Sequence, residues 1–113
     1  MLSTDVWVGA LIRRAQLGGA AAVVVRKGDA RAGAVLVKIY NPVSREARLY
    51  AQAVQAGGET VWMQPAEARA ESDLDAFIAR QSSYDPDLWV VEIEDREGRH
   101  FLTEPVAGEN IRR

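Results

Sequence analysis

The sequence predicts an α+β domain: a mostly antiparallel sheet of about six strands with two helices on one face. Three observations carry this. Residues 4–17 and about 73–83 repeat apolar side chains at helical spacing. The segments between and after them are short β-branched or alternating runs, punctuated by Gly, Pro and Asn. Residues 89–94 then divide into a dry side (Trp89, Val91, Ile93) and a second side (Val90, Glu92, Glu94). One dry and one charged face is what an antiparallel sheet needs when helices cover only one side. The order reads α-β-β-β-β-α-β-β.

In residues 4–17, Val8, Leu11, Ile12 and Ala15 follow the i, i+3, i+4, i+7 template, with Trp7 beside them. Ser3 or Thr4 can cap the start, and Asp5 in the first turn suits the helix dipole. Gly18-Gly19 ends the helix, since glycine takes the left-handed C′ geometry cheaply. Arg13 and Arg14 near that end are explained by the dipole and need no ligand. Residues 20–27 carry three consecutive valines and read as a strand, because β-branching disfavours helix. Gly28–Gly33 forms a turn. Residues 34–40 follow, with Val35, Val37 and Ile39 opposite Leu36, Lys38 and Tyr40, and Asn41-Pro42 stops them. Residues 46–54 and 60–64 complete a four-strand meander. Residues 66–72, rich in Ala and Glu, are ambiguous and can extend the next helix backward. That helix, about 73–83, has Leu74, Phe77 and Ile78 at helical spacing and ends at Asp85-Pro86. A last hairpin follows: Arg96-Glu97-Gly98 as a three-residue loop with Gly98 left-handed, Asp95 facing Arg99, Glu94 facing His100 and Ile93 facing Phe101. Residues 1–103 form one domain, and 104–113 a loosely ordered tail.

Composition narrows the chemistry. The 113 residues include no cysteine, which excludes disulfides, thiolate catalysis, zinc fingers and iron–sulfur clusters. No apolar run approaches the length of a membrane span and no signal-peptide pattern opens the chain, so the expected location is the cytoplasm, away from membranes. Residues 1–56 hold 8 basic and 3 acidic side chains (+5), whereas residues 57–113 hold 6 and 13 (−7). Charges from the two halves interleave if their strands lie side by side.

Three blocks of residues carry a family resemblance: Thr4-Asp5-Val6-Trp7-Val8 through Arg13-Arg14; Gly28-Asp29 with Ala32-Gly33-Ala34-Val35; and Asp85-Pro86-Asp87-Leu88-Trp89-Val90-Val91-Glu92-Ile93-Glu94-Asp95 with Gly98-Arg99-His100-Phe101. Together they resemble the bacterial family called domain of unknown function 1491. The resemblance implies a small cytoplasmic bacterial protein. It implies no activity, substrate, cofactor or catalytic residue.

The residues offer several chemistries of unequal merit. A Ser–His–acid triad would need His100 and Glu94 plus a serine, and no Gly-x-Ser-x-Gly elbow is present. Asp87, Glu92 and Glu94 with His100 are the candidate ligands for a hard divalent metal. The Pro86-Asp87…Glu92-x-Glu94 string is similar to the acidic part of a metal-dependent nuclease site, but Glu94 stands where that site has a lysine. The glycine-bracketed turn lacks both dinucleotide and Walker patterns, and no cofactor is expected. On an uncovered sheet face, Lys38, Tyr40, Arg48, Tyr50 and Trp62, joined by Arg26, would suit single-stranded nucleic acid through stacking and phosphate attraction. The same face, with Leu36, Val90 and Leu102, would be apolar enough to be covered by a partner or a second subunit. The preferred expectation is therefore a non-catalytic protein-interaction module that forms a homodimer. Nucleic-acid binding is the alternative, and metal-dependent phosphodiester hydrolysis ranks below both.

Overall fold

The structure, a computed structural model, describes residues 2–54, 56–65 and 70–109. It contains α1 (Thr4–Leu17), β1 (Ala21–Arg26), β2 (Val35–Asn41), β3 (Glu46–Val54), β4 (Thr60–Met63), α2 (Glu71–Tyr84) and β5 (Trp89–Glu94). The fold is α+β, and its sheet is mixed but mostly antiparallel. Most of the ambiguous stretch that precedes α2, residues 66–69, lies outside the described residues.

The strand order is β1-β5-β2-β3-β4. The last strand of the chain is thus inserted between the first two. It pairs antiparallel with β1 and parallel with β2. The chain segment joining β1 to β2 must therefore cross the end of the sheet where β5 enters. There it meets the backbone of Asp87 and Leu88, and a Cβ on Gly28 or Gly33 would run into the Asp87 carbonyl. Hydrogen bonds fix the crossing. Asp29 N donates to Asp87 O (3.0 Å), and Trp89 donates from its backbone N to Ala34 O (2.8 Å) and from Nε1 to Asp29 O (2.7 Å). On its other side the same loop serves α1: Thr4 N and Asp5 N donate to the carbonyls of Arg31 and Ala30, and Thr4 Oγ1 donates to Gly33 O. The open donors of the first helical turn are thus met by loop carbonyls, while the hydroxyl of Ser3 turns instead to Asp5.

A strand between two others is buried on both faces if both faces are covered, and here they are. α1 packs Val8, Leu11 and Ala15 on Val35, Val37, Ile39, Trp89, Val91 and Ile93. α2 packs Leu74, with Phe77 and Ile78, on Leu36, Leu49, Leu88 and Val90. The helices therefore lie on opposite faces, in three layers, and the expectation that both share one face is corrected. The physical reason is legible in β2, whose run Val35-Leu36-Val37 is apolar on both sides, as in a strand with two dry faces. Each such buried side chain contributes about 1.5–3 kcal/mol.

The expected sixth strand does not form. Gly98 is left-handed (φ 73°) as the hairpin requires, and Asp95 does meet Arg99, at 2.9 Å. Phe101, however, also turns left-handed (φ 61°), which no strand tolerates. Its carbonyl accepts two hydrogen bonds from Arg14 (3.1 and 2.9 Å), and its ring abuts Gly18. Residues 95–101 thus close over the end of α1, and the facing of Ile93 with Phe101 is not made. Of the expected tail, residues 110–113 lie outside the described residues, and residues 105–107 run beside β4. Trp62 N donates to Pro105 O (2.8 Å), Ala107 N donates to Trp62 O (2.7 Å), and Val106 is buried. Trp7 and Trp62 stack at 5.3 Å, and both indole N–H groups donate to Glu104 at 3.0 Å. Burial raises the Glu104 carboxyl, but these two donors outweigh it and hold it below the usual range.

The crossing loop leads to one prediction. Gly33→Ala forces a methyl against the Asp87 carbonyl and the Trp89 ring and should cost about 1–3 kcal/mol in urea denaturation. A midpoint equal to wild type would contradict the close approach.

Candidate functional site

β2 runs through the middle of the sheet, so a charge on it leaves water on both sides. Lys38 sits there, 5% exposed. Its Nζ lies 2.6 Å from Glu71, 2.7 Å from Asp75 and 3.2 Å from Glu92. Glu71 and Asp75 are one turn apart on α2, which aims both at the same point. Glu92 is the in-register neighbour on β5. Burial alone would lower the lysine's pKa, but the three carboxylates outweigh it and hold the group above its ordinary 10.5. Lys38 is therefore held as an ammonium and tethers α2 to the sheet.

The residues singled out from the sequence are dispersed. Lys38 and Tyr40 lie on the α2 face. Tyr50 and Arg48 are in register with Val37 and Ile39, which puts them on the α1 face. Trp62 lies in the α1-side core, and both it and Tyr50 are fully buried. Burial raises the Tyr50 hydroxyl, against the opposing effect of Arg48. The five residues share no open surface, because they divide between the two faces of the sheet and a helix packs on each. Stacking of single-stranded bases on Tyr50 or Trp62 is blocked because both rings are buried in the α1-side core.

The metal candidates separate likewise. Glu92 is engaged by Lys38, and Glu94 is exposed on that same face. Asp87 belongs to the loop crossing, with its backbone N bonded to Asp85 at 3.0 Å. His100 meets the edge of Tyr50 at 5.1 Å, accepts from Leu102 N through Nδ1, and sets Nε2 3.2 Å from Glu109. It belongs with the other face of the sheet. Among the described residues, no three acidic or histidine side chains gather as metal ligands. No helix among the described residues is long and apolar enough to cross a membrane.

The two sheet edges differ. β4 is covered by residues 105–107. β1 pairs with β5 on one side, and among the described residues no strand lies on its other side. Val23, Val24 and Val25 stand on this edge at 55%, 39% and 58% exposure, and the register shifts between Val24 and Arg26. The guanidinium of Arg26 folds back onto the carbonyl of Leu88. The valine run was visible in the sequence, but its place at an edge was not, because that depends on where β5 inserts.

The family model described as protein of unknown function (DUF1491) matches residues 2–103. The chain belongs to the DUF1491 family. It is similar to the crystal structure of a DUF1491 family protein from Caulobacter crescentus CB15, with 63% identity, a TM-score of 0.91, and coverage of 94% of this chain and 99% of that one. An NMR structure of a DUF1491 family protein from the same organism also has 63% identity, with a TM-score of 0.89 and coverage of 95% and 97%. The solution structure of protein Atu0922 from A. tumefaciens matches at 30% identity and a TM-score of 0.80, covering 96% and 98%. No curated protein matches. The resemblance of the three sequence blocks to this family is thus upheld, and the structure explains two of them: the glycine block and the Asp85–Asp95 block are the two sides of the loop crossing.

Lys38→Met keeps the side chain's length and removes the charge that holds Glu71, Asp75 and Glu92 together. Because those carboxylates reach water, the cost should fall below that of a sealed ion pair, at about 1–3 kcal/mol at pH 7. Since folding raises the lysine's pKa, its contribution is complete below pH 10.5 and is lost as pH rises through the folded-state value. Urea titrations of both proteins check this; equal stability at pH 7 would show that the tether contributes nothing.

Proposed function

We propose that this DUF1491 protein is a non-catalytic protein-interaction module that takes up an extended polypeptide segment along the free edge of β1. The observation that carries the reading is the run of exposed valines on an edge strand. Natural proteins usually blunt such an edge with charges, proline or a covering segment. Here the other edge is covered, whereas Ala21–Val25 contains no charged residue and no proline. Strand addition draws its affinity from main-chain hydrogen bonds and its selectivity from side chains on alternate positions. The chemistry near the sheet centre favours the same reading. Lys38 is held as a cation by three carboxylates, and the hydrogen-bond partners of His100 are Glu109 and the Leu102 amide.

A lysine-flanked Val-Thr repeat peptide is a generic probe of a free strand edge. Titrated into isotope-labelled protein, it should shift the backbone amides of Ala21–Arg26, and Val23→Lys should abolish the effect. Silence of those amides, or shifts confined to α2, would contradict the reading.

A further inference from the structure

We infer that the segment this edge takes is β1 of a second copy, paired antiparallel about a two-fold axis to make one continuous ten-stranded sheet. The inference rests on the reading of β1 as a docking edge and specifies its occupant.

Charge selects the direction. The strand is uncharged from Ala20 to Val25 and ends in Arg26-Lys27. Arg26 is committed within its own chain, but Lys27 is exposed. At the opposite end of β1, Ala21 is in register with Glu94, which is exposed on the neighbouring strand. Antiparallel pairing brings the cationic Lys27 end of each copy to the end of the other that is marked by Glu94 on the neighbouring strand. Parallel pairing would place the two cationic ends together. The contact forms twice across the axis, as a self-complementary interface requires.

Closure selects the stoichiometry. A head-to-tail arrangement needs a second open edge, and β4 is occupied by residues 105–107. Pairing β1 with β1 uses the same edge of both copies, so assembly stops at two instead of growing into a filament. The contact is small: six residues of strand extend about 20 Å. A single strand pair therefore gives a dimer that forms with rising concentration and comes apart on dilution.

Light scattering from micromolar to millimolar protein should show the mass rising from 12.4 kDa toward twice that value. Val23→Lys should hold it at the monomer. The native chain has no cysteine, so single-cysteine variants report proximity cleanly. Under mild oxidation, Val23→Cys or Val24→Cys should form a linked dimer, whereas the exposed but remote Val43→Cys should not. A dimer indifferent to Val23→Lys, with neither β1 cysteine cross-linking, would overturn the inference. If the mass stays at 12.4 kDa to millimolar concentration while the Val-Thr peptide still shifts the β1 amides, the second copy is refuted and the docking edge stands. If the peptide is silent as well, both fall.

Discussion

β5 enters the sheet last in sequence but between β1 and β2 in space, and the rest of the molecule accommodates that insertion. Its parallel pairing with β2 and antiparallel pairing with β1 hold together two strands that a simple meander would have joined directly. The loop between them is forced over the incoming chain, which is why Gly28 and Gly33 stand where any side chain would strike Asp87. The same loop lends its carbonyls to the first turn of α1. Helix, loop and central strand are therefore fixed by one crossing.

A central strand with two dry faces requires two covers, and the covers are held differently. α1 presents a continuous apolar stripe and has Arg14 and the 95–101 loop at its end. α2 has one fully buried side chain, Leu74, and leans on the ion cluster at Lys38. A buried ion pair is a weak source of net stability but a strong constraint on geometry. Lys38 admits α2 only where Glu71 and Asp75 can both reach it. That placement covers the face of Lys38 and Tyr40, while Tyr50 and Trp62 are buried on the α1 side, and the outer edge of β1 is left as the open apolar element.

Local pattern was highly legible in the sequence. The α1 bounds agree with the expected 4–17, and β3 with 46–54; the other strands fall within one residue of expectation at each end. Trp89, Val91 and Ile93 do turn to one core. What local pattern could not reveal was long-range arrangement. Alternation assigns residues to two faces but not to a named neighbour, so Val90 was expected in the open and lies under α2. Tyr50 and Lys38 were placed on one side because the β2–β3 register, Val37 with Tyr50, depends on the turn between them. That turn contains Arg45 at φ 65° and amides of Val43 and Ser44 bonded to Asn41, details a dipeptide signal such as Asn41-Pro42 does not encode. Glu104, which clamps Trp7 and Trp62, gave no sequence signal at all, since an isolated glutamate near a proline reads as surface.

Native-state hydrogen exchange addresses the insertion of β5 directly. If β5 is the strand on which the sheet is built, the slowest amides will be those of Val35–Ile39 and Trp89–Ile93, exchanging only through global unfolding with a common free energy. In dilute protein the outward amides of β1 will exchange much faster. Amides of β5 that exchange through a low-energy local opening, while β2 and β3 stay protected, would contradict the account.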